Sequence, residues 1–360
     1  MSERARNRCR ERLTALAGAQ LDPESARLSA IEELRRAVGF ERWCWPLTDP
    51  DSGLAMSGIA HFDIWPSLPR LIALQEHGDI STRPHLFLGP RASIALSNAT
   101  DGDMALSAVW RECLQPYGIG DTVMTACRER DGCWGSVELM RDSDDPVFDE
   151  DEIRLLEAVA ATLGTLVRRS LAQSWRHSAG DDTTAPPGTL ILDRQLSASG
   201  WTSPAREWLE QLQPQGGMLP PSIYEIGTRV LARHHADDPH DLPARARIRS
   251  SSGRWTVIEG AMLEGGDEER VAITLRAATA DEVVDILCRA HGLTRREREL
   301  VALLRAGLAT KRMSHALGIS PYTVQDHLKA IFDKTGVHSR RELISHLAGC
   351  APKLTPASSR

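Results

Sequence analysis

The feature that most restricts this chain is a run of helix punctuation crowded into residues 294–347. Thr294-Arg-Arg-Glu297 has the spacing of a capping box, in which the Thr hydroxyl takes an orphan backbone N–H and the Glu reaches back. Leu300, Val301, Leu303 and Leu304 follow at helical spacing, and Gly307 ends the helix. A second helix over Thr310–Leu317 stops at Gly318, a residue suited to the left-handed position after a helix. Ser320 and Pro321 then supply the N-cap and first residue of a third, and Ser339–Leu347 makes a fourth. Helices this short do not persist alone in water, so they must pack on one another. Two of them joined by a one-glycine turn predict a helix-turn-helix from about Thr310 to Lys329.

The third helix separates by angle into two faces, at about 100° per residue. Val324, Leu328, Ile331 and Phe332 share the inward face. Tyr322, Asp326, Lys329 and Asp333 lie opposite, flanked by Gln325. Gln and Lys read base edges in the major groove, and Asp accepts from cytosine N4. Charge agrees. The chain is −6 as a whole, but residues 281–360 hold 13 Lys+Arg against 8 Asp+Glu, a net of +5. That leaves 30 against 41 over residues 1–280, a net of −11. All the lysines (311, 329, 334 and 353) lie in the basic segment, the pattern of an acidic regulatory body carrying a nucleic-acid-binding head.

Leu293-Thr-Arg-Arg-Glu-Arg-Glu-Leu300, Gly307, Leu317-Gly-Ile-Ser320, Thr323-Val324, His327-Leu328, Lys334, Gly336-Val337 and Ser339-Arg340 together resemble the LuxR-type DNA-binding domain. The resemblance implies an all-α four-helix domain whose third helix enters the major groove of double-stranded DNA. It also implies a fourth helix able to pair two subunits over an inverted repeat. Carried onto this sequence, base reading falls to Gln325, Asp326 and Lys329, with Tyr322 on the same outward face. Thr323, Lys334 and Arg340 face the DNA backbone. The second helix departs from the pattern, with Ala309, Arg312, Met313 and Ser314 where a capping box and an Ile-Ala pair are usual, and Thr335 replaces a core Leu.

Upstream, helix and strand signals alternate. Ala26–Val38 has a helical period; Val123–Cys127 and Trp134–Met140 flank an Asp-Gly turn and predict a hairpin. Asp149 opens a long helix with acids in its first turn and an apolar stripe from Ile153 to Val167; its continuation through Leu171 toward Trp175 suits pairing with a second chain. This order, over about residues 20–172, resembles a GAF domain, which implies a six-stranded antiparallel sheet flanked by helices and a small-ligand pocket. Thr189–Asp193, a second strand up to Gly200, a helix capped at Ser203-Pro204, and the runs Arg254–Leu263 and Arg270–Arg276 resemble a PAS domain. The expected fold is therefore multidomain: two α+β sensor-like domains with antiparallel sheets, then the all-α head. The divisions fall at 1–173 (GAF-like), 174–188 (linker), 189–278 (PAS-like), 279–291 (connecting helix), 292–350 (head) and 351–360 (tail).

Several classes are set aside. No apolar run reaches the length of a membrane span. Seven cysteines without a CxxC pair point to a reducing cytoplasm. The cluster His234-His-Ala-Asp-Asp-Pro-His-Asp241 reads as a solvated loop, because consecutive loop residues rarely converge on one metal. The sequence holds no HExxH, GxSxG or GxxxxGK[ST], so neither a catalytic constellation nor a cofactor is assigned; a small-molecule ligand in either sensor-like domain is expected. The expected function is a homodimeric transcription regulator. Its alternative is an interaction module whose head contacts RNA polymerase instead of reading DNA.

Overall fold

Capping residues place the helices of the computed structural model, which describes residues 3–349 apart from 63–64, 78, 81, 130–131, 176–184, 213–217, 236–239, 251–252 and 266–267. The N-terminal helix α1 (Glu3–Gly18), for which the sequence offers no clear apolar period, packs on α2 (Pro23–Val38). Asp22 caps α2, accepting the Glu24 and Ser25 N–H groups at 3.0 Å. There follow β1 (Arg42–Thr48), β2 (Ala55–Ala60), α3 (Leu68–Glu76), α4 (Arg83–Leu88), β3 (Ser93–Ala95) and α5 (Leu96–Ala99). The expected hairpin is present and longer than its apolar runs suggest: β4 (Ile119–Glu129) and β5 (Gly132–Asp142).

These strands form an antiparallel sheet in the order β2-β1-β5-β4-β3, with Val123 opposite Leu139. Among the described residues it has five strands, one fewer than the resemblance implies. The helix α6 (Glu150–Trp175) starts at Asp149, whose carboxylate accepts the Glu152 N–H at 2.8 Å while the Glu152 carboxylate accepts the Asp149 N–H at 2.9 Å. α6 lies so close to β4 that a Cβ on Gly164 would stand 3.0 Å from the Cys127 backbone, so this helix carries glycine where it crosses the strand.

A second antiparallel sheet follows, in the order β7-β6-β10-β9-β8: β6 (Gly188–Leu192), β7 (Ala198–Trp201), β8 (Arg245–Arg249), β9 (Trp255–Met262) and β10 (Val271–Ala277). Helices α7 (Ser203–Gln211) and α8 (Pro221–His234) accompany it. Leu190, Leu192, Trp208, Ile223, Ile226 and Ile273 are fully buried in its core. The N-cap of α7 is Thr202, not Ser203. The Thr202 hydroxyl accepts the Thr189 N–H at 3.0 Å, so it ties β6 to the helix start instead of capping the helix. Neither α8 nor β8 is among the elements expected from the sequence.

The chain divides into two compact units. Unit 1 holds both sheets and α1 through Val167 of α6; unit 2 begins at Arg168 of α6 and resumes at Ala278. In unit 2, α9 (Ala280–Ala290) opens with a complete Thr279/Glu282 capping box, followed by α10 (Arg295–Arg305), α11 (Thr310–Leu317), α12 (Pro321–Thr335) and α13 (Arg340–Gly349). Val283, Val284, Ile286, Leu287, Cys288 and Ala290 of α9 are all buried, so the expected connecting helix is core material of unit 2. Leu171 and Trp175 are buried as well, which removes the end of α6 as a free pairing seam. Arg168 sits at the C-terminus of α9, donating to the Ala290 carbonyl at 2.8 Å. The expected linker Ser174–Gly188 starts in α6 and ends in β6; its middle lies outside the described residues.

Candidate nucleic-acid interface

The interface is built on α12. Ser320 accepts the Thr323 N–H at 3.0 Å, a cap that contributes about 1 kcal/mol, and Pro321 fills the first helical position. Val324, Leu328 and Ile331 are buried and anchor the helix against α10 and α11; Phe332 is half-buried. Thr335, where a Leu is usual, is buried with its hydroxyl donating to the Ile331 carbonyl at 2.8 Å, so the core carries no unmet polar group there.

The turn before α12 is held from both sides. Gly318 takes the left-handed conformation (φ 63°), and the Ile319 N–H returns to the Ser314 carbonyl at 3.0 Å. The Arg296 guanidinium of α10 donates to the Leu317 carbonyl and to Glu299 at 2.8 Å, and that hydrogen bond holds the Glu299 carboxyl below its usual range. The start of α11 has Ala309 as N-cap with no side-chain bond. Thr310 does not take over the cap; its hydroxyl accepts from Arg340 at 2.8 Å.

The residues expected to touch DNA fall into two sets. The side chains of Tyr322, 77% exposed, and of the exposed Gln325, Asp326 and Lys329 make no hydrogen bond or ion pair among the described residues. Lys311 and Arg312 of α11 and Arg341 of α13 are exposed as well. Lys334, Arg340 and Thr323 are engaged within the domain. Lys334 Nζ lies 3.0 and 2.7 Å from the two carboxylate oxygens of buried Glu297, joining α12 to α10. Arg340 joins α13 to α11 through Thr310, and the Thr323 hydroxyl lies 2.9 Å from Ser320 Oγ in the cap. Glu297 and Thr310 are the members that sequence reasoning misses. Glu297 carries a signal, as the last residue of a capping box, but its partner lies 37 residues away.

Among the described residues no group of three or more His, Cys, Asp or Glu is arranged to hold a metal. Of the His-rich stretch, residues 236–239 lie outside the described residues, His235 meets Glu269 at 2.8 Å, and Asp241 meets Arg233 at 2.9 Å. No helix among the described residues is long and apolar enough to cross a membrane.

Residues 291–347 match the family described as bacterial regulatory proteins, luxR family. The monoamine regulon transcriptional regulator of Klebsiella aerogenes is 47% identical over 53 residues, 15% of this chain and 23% of that one. A protein of Aeromonas salmonicida named as a putative HTH-type transcriptional regulator is 45% identical over 53 residues, 15% of this chain and 27% of that one. The chain thus spans about a quarter of the length of these relatives. Among solved structures, a bacteriophytochrome of R. palustris aligns over 80% of this chain and 74% of its own at 15% identity, with a TM-score of 0.30, too low to place any residue.

Proposed function

We infer that this chain, which carries a LuxR-family helix-turn-helix domain at residues 291–347, is a sequence-specific transcription regulator that lays α12 in the major groove of double-stranded DNA. The observation that carries the reading is the division of labour on α12 and α13. Tyr322, Gln325, Asp326 and Lys329 are solvent-facing and unengaged, while Lys334 and Arg340 hold the helices that present them. Gln325, Asp326 and Lys329 read base edges. Tyr322 stands at the helix start beside the phosphates. Thr323, Lys334 and Arg340 keep α12 in register with the backbone. Binding as a homodimer to an inverted repeat follows from the two-fold symmetry such heads impose on their sites. The two sheets of unit 1 are the sensing part, GAF-like and PAS-like in their order of elements, and respond to a small ligand or partner. Six free cysteines among the described residues fit the cytoplasm, where the DNA is.

Selection of random-sequence DNA by the full chain tests this. An enriched inverted repeat is the expected result. Retention without enrichment, at the full chain and at residues 279–360 alike, would overturn sequence-specific reading.

A further inference from the structure

The sheet edges that meet inside unit 1 are closed by acids. Glu225 of α8 accepts the Ala55 N–H of edge strand β2 at 2.5 Å. Asp49, just after β1, accepts the Arg247 N–H of edge strand β8 at 2.9 Å and the Arg247 guanidinium at 2.8 and 2.7 Å. Each half of the unit supplies the carboxylate that satisfies the other half's open edge, which would otherwise carry unpaired backbone groups into the interior.

From Glu225 a buried polar chain runs to the middle of the first sheet. Arg83 donates to Glu225 and, at 2.8 Å, to Gln75; Gln75 donates to Glu138 at 3.3 and 3.2 Å; Glu138 also accepts the Thr122 hydroxyl at 3.1 Å. Arg229, one turn beyond Glu225, donates to Glu76 at 2.6 Å and to the Ser52 carbonyl at 2.7 Å. All five ionisable members are buried. The charges do not balance: Glu76, Glu138 and Glu225 make three carboxylates, against the two guanidiniums of Arg83 and Arg229. Arg247 is met separately by Asp49 and, at 3.1 Å, by the partly exposed Asp51. A net charge held away from water is strongly disfavoured, and binding a proton is the ordinary relief. The uncompensated charge sits at this junction. Glu76 Oε1 is buried with no hydrogen-bond partner, 4.0 Å from Arg83, while both oxygens of Glu225 already accept.

We propose that the buried, charge-unbalanced site around Glu225 holds one proton at neutral pH and that its release loosens the joint between the two sheets, making unit 1 responsive to pH. This goes beyond the DNA-binding reading and does not depend on it. The groups facing Glu225 are few. α3 supplies Glu76 and Gln75, α4 supplies Arg83, and β2 supplies only the Ala55 N–H. On β8, Arg247 is taken by Asp49, with Arg245 and Arg249 partly exposed to either side. Glu259 of β9 and Arg276 of β10 pair with each other at 3.9 Å at partly exposed positions, and α8 itself adds Arg229 and Arg233, the latter held by Asp241. Burial drives the Glu225 carboxyl above its ordinary range; Arg83 opposes this and Glu76 adds to it. An acid raised on folding contributes stability that is full below its unfolded pKa and is lost as pH rises through the folded value.

Glu76→Gln is the informative variant, because it removes one of the three buried carboxylates, and with it the excess charge beside Glu225, while an amide oxygen still accepts from Arg229. Unfolding of the full chain and of this variant is compared between about pH 5.5 and 8.5, where one coupled proton changes the ratio of their folding constants by up to about tenfold per pH unit. The wild type is expected to lose ground to the variant as pH rises. A ratio independent of pH, or one moving the other way, overturns the proposal. Infrared spectra of the wild-type chain decide the matter even if the variant does not fold. A carboxylic-acid C=O band at neutral pH is expected, and its absence means that all three acids are ionised.

Discussion

Lys334 Nζ lies 2.7 Å from Glu297 Oε2, the same oxygen that accepts the Thr294 N–H at 2.7 Å. One buried carboxylate therefore starts α10 and fixes the far end of α12. Lys334→Met keeps the side-chain stem but strands Glu297, and should cost about 1–3 kcal/mol of stability in the head. Thermal unfolding followed by circular dichroism measures it. Unchanged stability with a uniform loss of DNA affinity would assign Lys334 to phosphate alone.

Lys329 and Gln325 lack such engagements, so their loss should leave folding intact. Lys329→Ala and Gln325→Ala are expected to weaken the selected site by about 1–3 kcal/mol and to relax preference at single positions. Lys311→Ala should weaken all sequences alike and lower the salt slope by about one. Binding titrations against matched and scrambled DNA separate the two patterns; the same loss on both DNAs for Lys329→Ala would remove it from base reading.

Gly318 sits at φ 63°, and a Cβ added there would meet nothing within 4 Å, so its requirement is one of backbone conformation alone. Gly318→Ala should destabilise the head by about 1 kcal/mol. Gly200, equally unobstructed on β7 but without a left-handed φ, is the comparison: Gly200→Ala should be nearly neutral. Equal effects would mean that the turn is not held in the left-handed form.

Asp49 and Arg247 are both almost fully buried, and the carboxylate serves the backbone as well as the guanidinium of its partner. Asp49→Ala leaves an unpaired edge N–H and leaves the buried Arg247 guanidinium with only the partly exposed Asp51 at 3.1 Å, with an expected cost of about 2–4 kcal/mol. Chemical denaturation of the full chain reads this as a shift in the unit 1 transition. A loss under about 1 kcal/mol would show that Asp51 or water takes over the Arg247 guanidinium.

Burial pushes the Cys133 and Cys288 thiols up to about 12 and those of Cys9 and Cys113 up to about 11. A thiol raised on folding adds stability that is complete below its unfolded value and fades as pH climbs toward the folded one, so these residues favour the native state through neutral pH. At about pH 8 a thiol-directed alkylating reagent should label them slowly in the native chain and quickly in denaturant. Mass spectrometry of the labelled peptides reports each position, and rapid native labelling of Cys288 would contradict its place in the unit 2 core.

Much of the head is readable because its signals are local. The Thr294/Glu297 box, the glycine at 318 and the Ser320-Pro321 start each act within four residues, and the three-and-four spacing of Val324, Leu328 and Ile331 declares one face of α12. Legibility fails where local signals compete. Thr202 and Ser203 both suit a helix start, and the strand pairing that engages the Thr202 hydroxyl is not written nearby. α8 does carry an apolar spacing, Ile223, Ile226 and Val230, but Glu225, Thr228 and Arg229 between them are buried as well, and that burial is set by distant segments.

The sequence by itself determined which segments could be helix, turn or hairpin and which face of α12 looks outward, since those depend on caps, glycines and periodicity over a few residues. Only the tertiary structure decided which charges are spent inside the molecule. Lys334 and Lys329 are alike in sequence, yet one meets a buried carboxylate from α10 and the other meets solvent. Likewise Glu225 and Asp49 become edge-closing acids only because β2 and β8 meet across 170 and 198 residues of chain. Ion pairing falls steeply with distance and with water, and both are set by how distant segments pack.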